Sequence, residues 1–200
     1  MTSDLVMIDY GAGNVQSVRY ALERLGVRAE LSADPDRVAR ADRVLFPGVG
    51  AARASMAALR ARGLAELIPR LEQPVLGICV GMQLLAAHSE EEDTPGLGVL
   101  PAARVRRFRP ADPTREKVPH MGWNTLDAPR DWLPSTLAGR RVYYVHSYAM
   151  DVGPWTVATT DYAGFTFSAA LRHGNFYGTQ FHAEKSGDVG ERVLQAFLGR

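Results

Sequence analysis

The sequence has a single cysteine, Cys79, among its 200 residues. One cysteine cannot form an intramolecular disulfide, which excludes a disulfide-stapled secreted fold and favours a reducing compartment. The N-terminus also lacks the basic stretch, apolar run and small-residue cleavage site of a signal peptide. These absences predict a cytoplasmic protein.

The sequence also lacks a large excess of positive or negative residues, and it lacks long apolar runs. The 23 Lys and Arg residues nearly balance the 22 Asp and Glu residues, leaving a formal net charge of +1. Because a nucleic-acid-binding domain normally carries a basic surplus, we predict no nucleic-acid partner. No apolar run approaches the roughly 20 residues that cross a bilayer, so we predict no membrane association.

The sequence has no complete motif for a metal or a dinucleotide. A lone cysteine cannot build a zinc ribbon, and no His-Glu-x-x-His segment occurs. Gly11 and Gly13 follow the first predicted strand, as in a dinucleotide-binding turn, but Gln16 occupies the third glycine position. Close helix packing over a pyrophosphate is thereby lost, and we expect neither a cofactor nor a metal.

Buried strands and helices alternate over the first 90 residues. The hydrophobic share of 46% is that of an ordinary globular domain. Short apolar runs predict strands at residues 5–8, 27–31, 44–46 and 75–78. Apolar residues at helical spacing predict helices at 15–25, at 56–71 with a break at Gly63, and at 79–87. This alternation favours a parallel sheet with helices on both faces.

The pattern changes after residue 90. An acidic segment at 90–93 predicts a solvated loop. Closely spaced strands are predicted beyond it at 141–145, 156–160, 165–171 and 176–181, followed by an amphipathic helix at 189–198. Since a domain has about 150 residues, we predict one α/β domain, residues 1–200, with a mainly parallel core and added antiparallel strands.

The segment Gly77-Ile78-Cys79-Val80-Gly81 lies between a predicted buried strand and a predicted helix. It has the nucleophile-elbow pattern, a tight turn that strains the backbone of the nucleophile and leaves no room for a Cβ atom at its flanks. At a helix N-terminus a thiol ionises more easily, and the Val80 N–H is placed to donate to an oxyanion. The competing interpretation is a buried structural cysteine.

A thiolate nucleophile needs a base, and the sequence offers five histidines. His182 is followed two residues later by Glu184, which in extended chain lies on the same face and can orient the imidazole. His146 has no acidic residue nearby and is the second candidate. Solvated positions in loops or at element ends are predicted for the other three, His88, His120 and His173.

A second oxyanion donor is expected from another loop that follows a strand. Pro47-Gly48-Val49-Gly50 follows the third predicted strand, and a backbone N–H near Val49 or Gly50 is the candidate donor. The alternative interpretation is an ordinary glycine turn, which the sequence alone does not exclude.

Together these motifs resemble those of class I, triad-type glutamine amidotransferases, in the same order and nearly end to end. Two further segments are similar to the glutaminase subunits of imidazole glycerol phosphate synthase: Asp9-Tyr10-Gly11-Ala12-Gly13-Asn14 and Pro119-His120-Met121-Gly122-Trp123-Asn124. The chain departs from the family at one position, because Ala183 stands where a proline is usual between the histidine and the glutamate.

The resemblance implies a flavodoxin-like fold in which Cys79 is the nucleophile, His182 the general acid and base, and Glu184 its orienting carboxylate. The positions implied for the oxyanion and the glutamine are Val49, Gly50, Val80, Gln83, His146, Ser147 and Tyr148. The positions implied for a partner surface are Asn14, Met121, Trp123 and Lys185. Trp and Met are enriched at such contacts, although a core position is the ordinary alternative for Trp123.

The activity implied is hydrolysis of L-glutamine through a glutamyl thioester. The ammonia would pass, within a heterodimer, to a cyclase subunit that makes imidazole glycerol phosphate and aminoimidazole carboxamide ribotide in histidine biosynthesis. Three alternatives stay open: a free-standing cysteine hydrolase of similar fold, a non-catalytic interaction module, and the glutaminase subunit for pyridoxal phosphate synthesis. The segment at 119–124 argues against the last of these.

Overall fold

A seven-stranded sheet forms the centre of the protein, whose computed structural model describes residues 4–199. Residues 1–3 and 200 of the predicted domain lie outside the described part. In spatial order the strands are β11 (Thr156–Tyr162), β12 (Phe165–His173), β13 (Phe176–Thr179), β4 (Val75–Cys79), β3 (Arg43–Gly48), β1 (Leu5–Ile8) and β2 (Glu30–Ser32). Neighbours from β2 to β13 pair in parallel, whereas β12 and β11 pair antiparallel. The predicted mainly parallel core with antiparallel additions is confirmed.

Within residues 4–199, six α-helices accompany the sheets. They are α1 (Val15–Arg24), α2 (Pro35–Ala39), α3 (Ala52–Ala61), α4 (Leu64–Leu67), α5 (Val80–Gln83) and α6 (Gly187–Leu198). Consecutive residues are buried along β1, β3 and β4. Both faces of the sheet centre are therefore covered, as is usual for parallel strands. The described part of the chain has no helix long and apolar enough to cross a membrane.

Two smaller sheets lie beside the central one. The first contains β10 (Tyr148–Met150), β7 (Leu100–Arg107), β5 (Ala86–Ser89) and β6 (Thr94–Pro95), in that spatial order. The second is an antiparallel pair formed by β8 (His120–Thr125) and β9 (Arg141–His146). Strands β7, β8 and β10 lie where the sequence predicts none. They bring residues 145–148 to the carboxyl end of the central strands, beside Cys79.

The predicted helix at 79–87 is wrong beyond its first turn, because α5 ends at Gln83 and β5 follows. The carbonyl of Ala86 accepts a hydrogen bond from the N–H of Gly98, and β5 pairs with both β6 and β7. Hydrogen bonds to β6 and β7 thus replace the hydrogen bonds of a helix in this segment, although its apolar residues have helical spacing. Strand β3 also extends through Gly48 rather than stopping at residue 46.

Candidate active site

Cys79 is the last residue of β4 and directly precedes α5. Its backbone has φ 54° and ψ −110°, a strained conformation for a residue with a side chain. A Cβ on Gly77 would lie 2.7 Å from the Met82 nitrogen, and one on Gly81 would lie 1.9 Å from the Phe46 carbonyl oxygen. The predicted elbow, with flanks too crowded for a Cβ atom, is therefore confirmed.

His182 and Glu184 form a buried hydrogen-bonded pair just after β13. His182 Nδ1 lies 2.7 Å from Glu184 Oε1, and the two side chains are 2% and 1% exposed. His182 has extended backbone angles, and residues 183–185 form a single 3₁₀ turn, which bends the glutamate back onto the ring. Asn14 Nδ2 donates to the same Oε1 at 3.4 Å. Asn14 is half-buried, so it contacts Glu184 and is also partly exposed at the surface.

The electrostatics of His182 favour its charged form. Burial lowers the pKa of the imidazole, but the nearby Cys79 sulfur and the hydrogen bond and charge of Glu184 outweigh burial and raise that pKa above its usual range. A histidine that stays protonated beside a cysteine stabilises the thiolate.

Two buried glutamine side chains form a series of hydrogen bonds that ends at the sulfur. Gln180 Nε2 donates to Cys79 Sγ at 3.7 Å, and Gln83 Nε2 donates at 2.9 Å to Gln180 Oε1. Gln83 Nε2 also donates to the Tyr148 carbonyl at 2.7 Å. Gln180 is not among the site residues that the sequence predicts. The available signal is a polar side chain at the end of a predicted buried strand, two residues before His182.

Cys79 and His182 open into a cavity of about 270 Å³. The cavity brings together every residue assigned to the oxyanion and the glutamine, namely Val49, Gly50, Val80, Gln83, His146, Ser147 and Tyr148. Glu91, Pro119 and Val145 line it as well and were not identified from the sequence. A larger groove elsewhere on the surface contains none of these residues.

Glu91 connects the acidic loop to the loop that follows β3. Its Oε2 accepts the Ala52 N–H, at the start of α3, at 2.7 Å, and Arg53 contacts the Glu92 carbonyl. Glu91 is half-buried and burial raises its pKa, so the prediction of a wholly solvated acidic loop is wrong at this residue. The carboxylate is instead fixed at the wall of the cavity.

His146, the second candidate base, has both ring nitrogens engaged elsewhere. Its Nδ1 lies 2.8 Å from the Tyr148 carbonyl oxygen, and its Nε2 lies 3.0 Å from His120 Nδ1. His120 is only 4% exposed and lies in β8, so its predicted solvated loop position is wrong. The geometry therefore favours His182 over His146 as the partner of Cys79.

Three of the four residues assigned to a partner surface are exposed close together. Met121 and Trp123 lie on β8 and are 63% and 53% exposed, which excludes a core position for Trp123. The Trp123 ring packs edge-on against Tyr143 at 5.9 Å. The exposed Lys185 places its Nζ 5.9 Å from the centroid of the same Tyr143 ring. We call Met121, Trp123, Tyr143 and Lys185 the β8 surface.

Comparison with protein families gives a match over nearly the whole chain. The model described as glutamine amidotransferase class-I matches residues 6–199. A relative from Bacteroides thetaiotaomicron is 50% identical over 195 residues, 97% of this chain and 98% of the relative. One from Xanthomonas campestris pv. campestris is 50% identical over 200 residues, 98% of this chain and 97% of the relative. Both are described as imidazole glycerol phosphate synthase subunit HisH.

Solved structures share the fold at lower identity. The structure of PurLQS from Thermotoga maritima has a TM-score of 0.76 at 17% identity, covering 100% of this chain and 99% of that one. A structure described as a glutamine amidotransferase has a TM-score of 0.74 at 19% identity, covering 98% and 99%. These likenesses concern the fold alone, and they confirm the predicted fold class. The chain belongs to the class I glutamine amidotransferases and, within them, to the HisH subunits of imidazole glycerol phosphate synthase.

Proposed function

We propose that the chain hydrolyses L-glutamine to glutamate and ammonia and delivers the ammonia to the cyclase subunit of imidazole glycerol phosphate synthase in histidine biosynthesis. The observation that carries the proposal is the buried 2.7 Å contact between His182 and Glu184 at the cavity that Cys79 lines. The cavity of about 270 Å³ is small for a ligand pocket and suits an amino acid. The Glu91 carboxylate on its wall supplies a negative charge for an α-ammonium group.

The proposed reaction uses the three residues in two half-reactions. The Cys79 thiolate attacks the side-chain amide carbon of glutamine and forms a tetrahedral oxyanion. The N–H groups of Val80 and of the Val49–Gly50 loop are the donors that we assign to this oxyanion. The protonated His182 gives its proton to the leaving nitrogen, the C–N bond breaks, and ammonia departs from a glutamyl thioester.

Hydrolysis of the thioester completes the cycle. His182, now neutral, takes a proton from a water molecule that attacks the thioester carbon. The C–S bond then breaks, which releases glutamate and restores the thiolate and imidazolium. Glu184 holds the tautomer and orientation of His182 in both steps. None of these steps calls for a metal or an organic cofactor.

We assign the β8 surface, together with Asn14, to contact with the cyclase subunit in a heterodimer. Exposed Trp and Met side chains are enriched at such interfaces, and the tyrosine–lysine contact adds a charged group beside them. In this proposal residues 1–200 form one glutaminase domain that acts in the cytoplasm.

The deciding experiment measures glutamate and ammonia release from glutamine by the purified chain together with a cyclase subunit from a relative. We expect hydrolysis that is lost in Cys79→Ser and that is coupled to formation of imidazole glycerol phosphate. Full hydrolysis without a cyclase, or hydrolysis of unrelated amides instead, would favour a free-standing cysteine hydrolase. Cyclase binding without any hydrolysis would favour an interaction module.

A further inference from the structure

Two buried histidines face each other across the β8–β9 pair. His120 and His146 are register partners, and His120 Nδ1 lies 3.0 Å from His146 Nε2. The His120 ring stacks on both Tyr144 and Tyr162, at centroid distances of 4.8 Å and 3.9 Å, which fixes the plane of the ring. Neither histidine transfers a proton in the proposed reaction.

The neighbours of the two rings determine which nitrogens carry hydrogen. Burial lowers the pKa of His120 to about 4 and that of His146 to about 3, so both rings are neutral near pH 7 and each has one donor and one acceptor. The Tyr148 carbonyl can only accept, and it lies 2.8 Å from His146 Nδ1. His146 therefore carries its hydrogen on Nδ1 and accepts at Nε2, which requires His120 to donate from Nδ1.

The remaining nitrogen of His120 has a matching neighbour. His120 Nε2 must be an acceptor, and the nearest polar group is Asn124 Nδ2 at 3.4 Å, which is a donor. All the donors therefore point the same way, from Asn124 through His120 and His146 to the Tyr148 carbonyl. One assignment of hydrogens satisfies every contact in this series.

The Tyr148 carbonyl joins this series to the catalytic cysteine. It also accepts the Gln83 Nε2 donor at 2.7 Å, and the Gln83–Gln180 pair continues to Cys79 Sγ. Ser147 and Tyr148 themselves line the cavity. A shift of this carbonyl would consequently move a wall of the cavity and disturb the amide that donates to the sulfur.

We propose that His120 is a positioning residue for glutamine binding, whose Nδ1–H fixes the tautomer of His146 and thereby holds the Tyr148 carbonyl and the adjoining wall of the cavity. The role rests on the glutaminase activity proposed above. His120 does not line the cavity, so it acts only through His146.

Two substitutions separate the donor from the packing of the ring. His120→Phe keeps an aromatic ring for the stack with Tyr144 and Tyr162 but removes the donor, whereas His120→Asn places an amide N–H near the Nδ1 position. His173→Phe, at an exposed histidine at the end of β12, is the matched control. Each variant is measured in complex with the cyclase subunit, by steady-state glutaminase kinetics and by ¹⁵N NMR of the histidine rings.

We expect His120→Phe to raise KM for glutamine about tenfold, as expected when one buried polar group loses its partner, with kcat changed less than about threefold. His120→Asn should restore most of KM, and His173→Phe should match the unchanged protein. The ring shifts should show His146 as the Nδ1–H tautomer in the unchanged and Asn proteins, and as a mixture of the Nδ1–H and Nε2–H tautomers in the Phe protein, where only the Tyr148 carbonyl still favours Nδ1–H.

Equal KM values in all the proteins, or equal damage by the Phe and Asn changes, would overturn the proposal. An Nε2–H or charged His146 ring at pH 7 in the unchanged protein would overturn it even if the Phe variant fails to fold. If the unchanged complex does not hydrolyse glutamine, the proposed function fails first. The NMR tautomers then decide separately whether His120 fixes His146.

Discussion

Cys79 combines a strained backbone with a polar environment for its sulfur. The positive φ of 54° turns the side chain out of the strand direction toward the cavity. His182 and the Gln180 amide then provide a positive charge and an N–H donor at the sulfur. The conformational cost, about 1–3 kcal/mol for such a residue, is tolerated because the flanking glycines let β3, β4 and α5 pack closely.

We expect Cys79→Ser to reduce glutamine hydrolysis by more than about 10³-fold, because a serine hydroxyl at this position stays protonated near pH 7 whereas a thiol can ionise. The melting temperature should change little, since the side chains are nearly isosteric. A glutamine-like electrophile should label Cys79 of the unchanged protein, as read by mass spectrometry. Full turnover by the Ser variant would contradict the nucleophile assignment.

The two partners of the cysteine should differ in importance. His182→Ala removes both proton transfers, whereas Glu184→Ala leaves the imidazole in place but free to rotate and to take the wrong tautomer. We expect kcat to fall at least about tenfold further for the histidine change. His146→Ala is the control, and a larger kcat loss there than in His182→Ala would mean that the base has been misassigned.

The neutral pair His120–His146 makes stability depend on acid pH. Because folding lowers both pKa values, to about 4 and about 3, the unfolded chain binds more protons than the folded chain between those values and about 6.5. The free energy of unfolding should consequently fall as pH decreases from about 6.5 toward 4. Denaturant titrations should show a shallower fall in His120→Phe than in the unchanged protein, whereas identical slopes would contradict the assignment.

The sequence predicts site residues that contact each other when they are close together in the chain. It does not predict contacts between residues that only the fold brings together. The elbow around Cys79 and the His182–Glu184 pair depend on residues within a few positions, so their patterns are visible in the sequence. Gln180 and His120 acquire their roles only when β13 and the β8–β9 pair reach the same cavity. Such contacts across 26 and 101 positions leave no periodic signal.

At the scale of elements, α5 packs very closely against β3. Gly81, the second residue of α5, lies over the Phe46 carbonyl with no room for a methyl group. This contact lets α5 begin immediately after β4 and sets the direction of the elbow. The length of α5, which is only four residues, matters less for the direction of the elbow than this contact does.

Gly81→Ala should destabilise the fold by about 3 kcal/mol, since a methyl group there meets rigid backbone and overpacking costs of this size are usual. The matched control is Gly26→Ala, where φ is 69° but nothing lies within 4 Å. That change carries only the conformational penalty of about 1–2 kcal/mol. Chemical denaturation of both variants measures the difference, and equal losses would show that crowding at the elbow is unimportant.

Elements that the sequence predicts well are those buried on both faces. β1, β3 and β4 are short apolar runs, and their burial leaves no other arrangement for them. β7 is harder to recognise because it alternates buried residues with exposed arginines at 104, 106 and 107, and β8 contains exposed Met121 and Trp123. β5 resembles a helix in its spacing and is a strand only because β6 and β7 pair with it.

At the scale of the whole molecule, the cavity and the β8 surface are connected through the same two strands. β9 carries His146 into the cavity and Tyr143 to the β8 surface, and β8 carries His120 inward and Trp123 outward. A partner bound at Trp123 would therefore lie on the strand pair that forms one wall of the cavity. This arrangement offers a short physical path for control of hydrolysis by the cyclase.

We expect the loop after β3 to provide that control. Val49 is 37% exposed and stands between Gly48 and Gly50, which has φ 90°, so reorientation of its peptide planes is inexpensive. Loss of one oxyanion donor costs about 10²–10³ in rate, enough for an off state that leaves the triad in place. Hydrolysis without an acceptor would waste ammonia, which makes such an off state useful.

We therefore expect the isolated chain to hydrolyse glutamine weakly, and the cyclase carrying its substrate analogue to raise kcat by about 10²-fold or more. Titrating cyclase and analogue into the glutaminase assay measures both the stimulation and the apparent affinity. Trp123→Ala should weaken that affinity, whereas Tyr20→Ala, an equally exposed aromatic residue on α1, should not. A chain that already works at full rate alone would contradict partner control and favour a free-standing cysteine hydrolase.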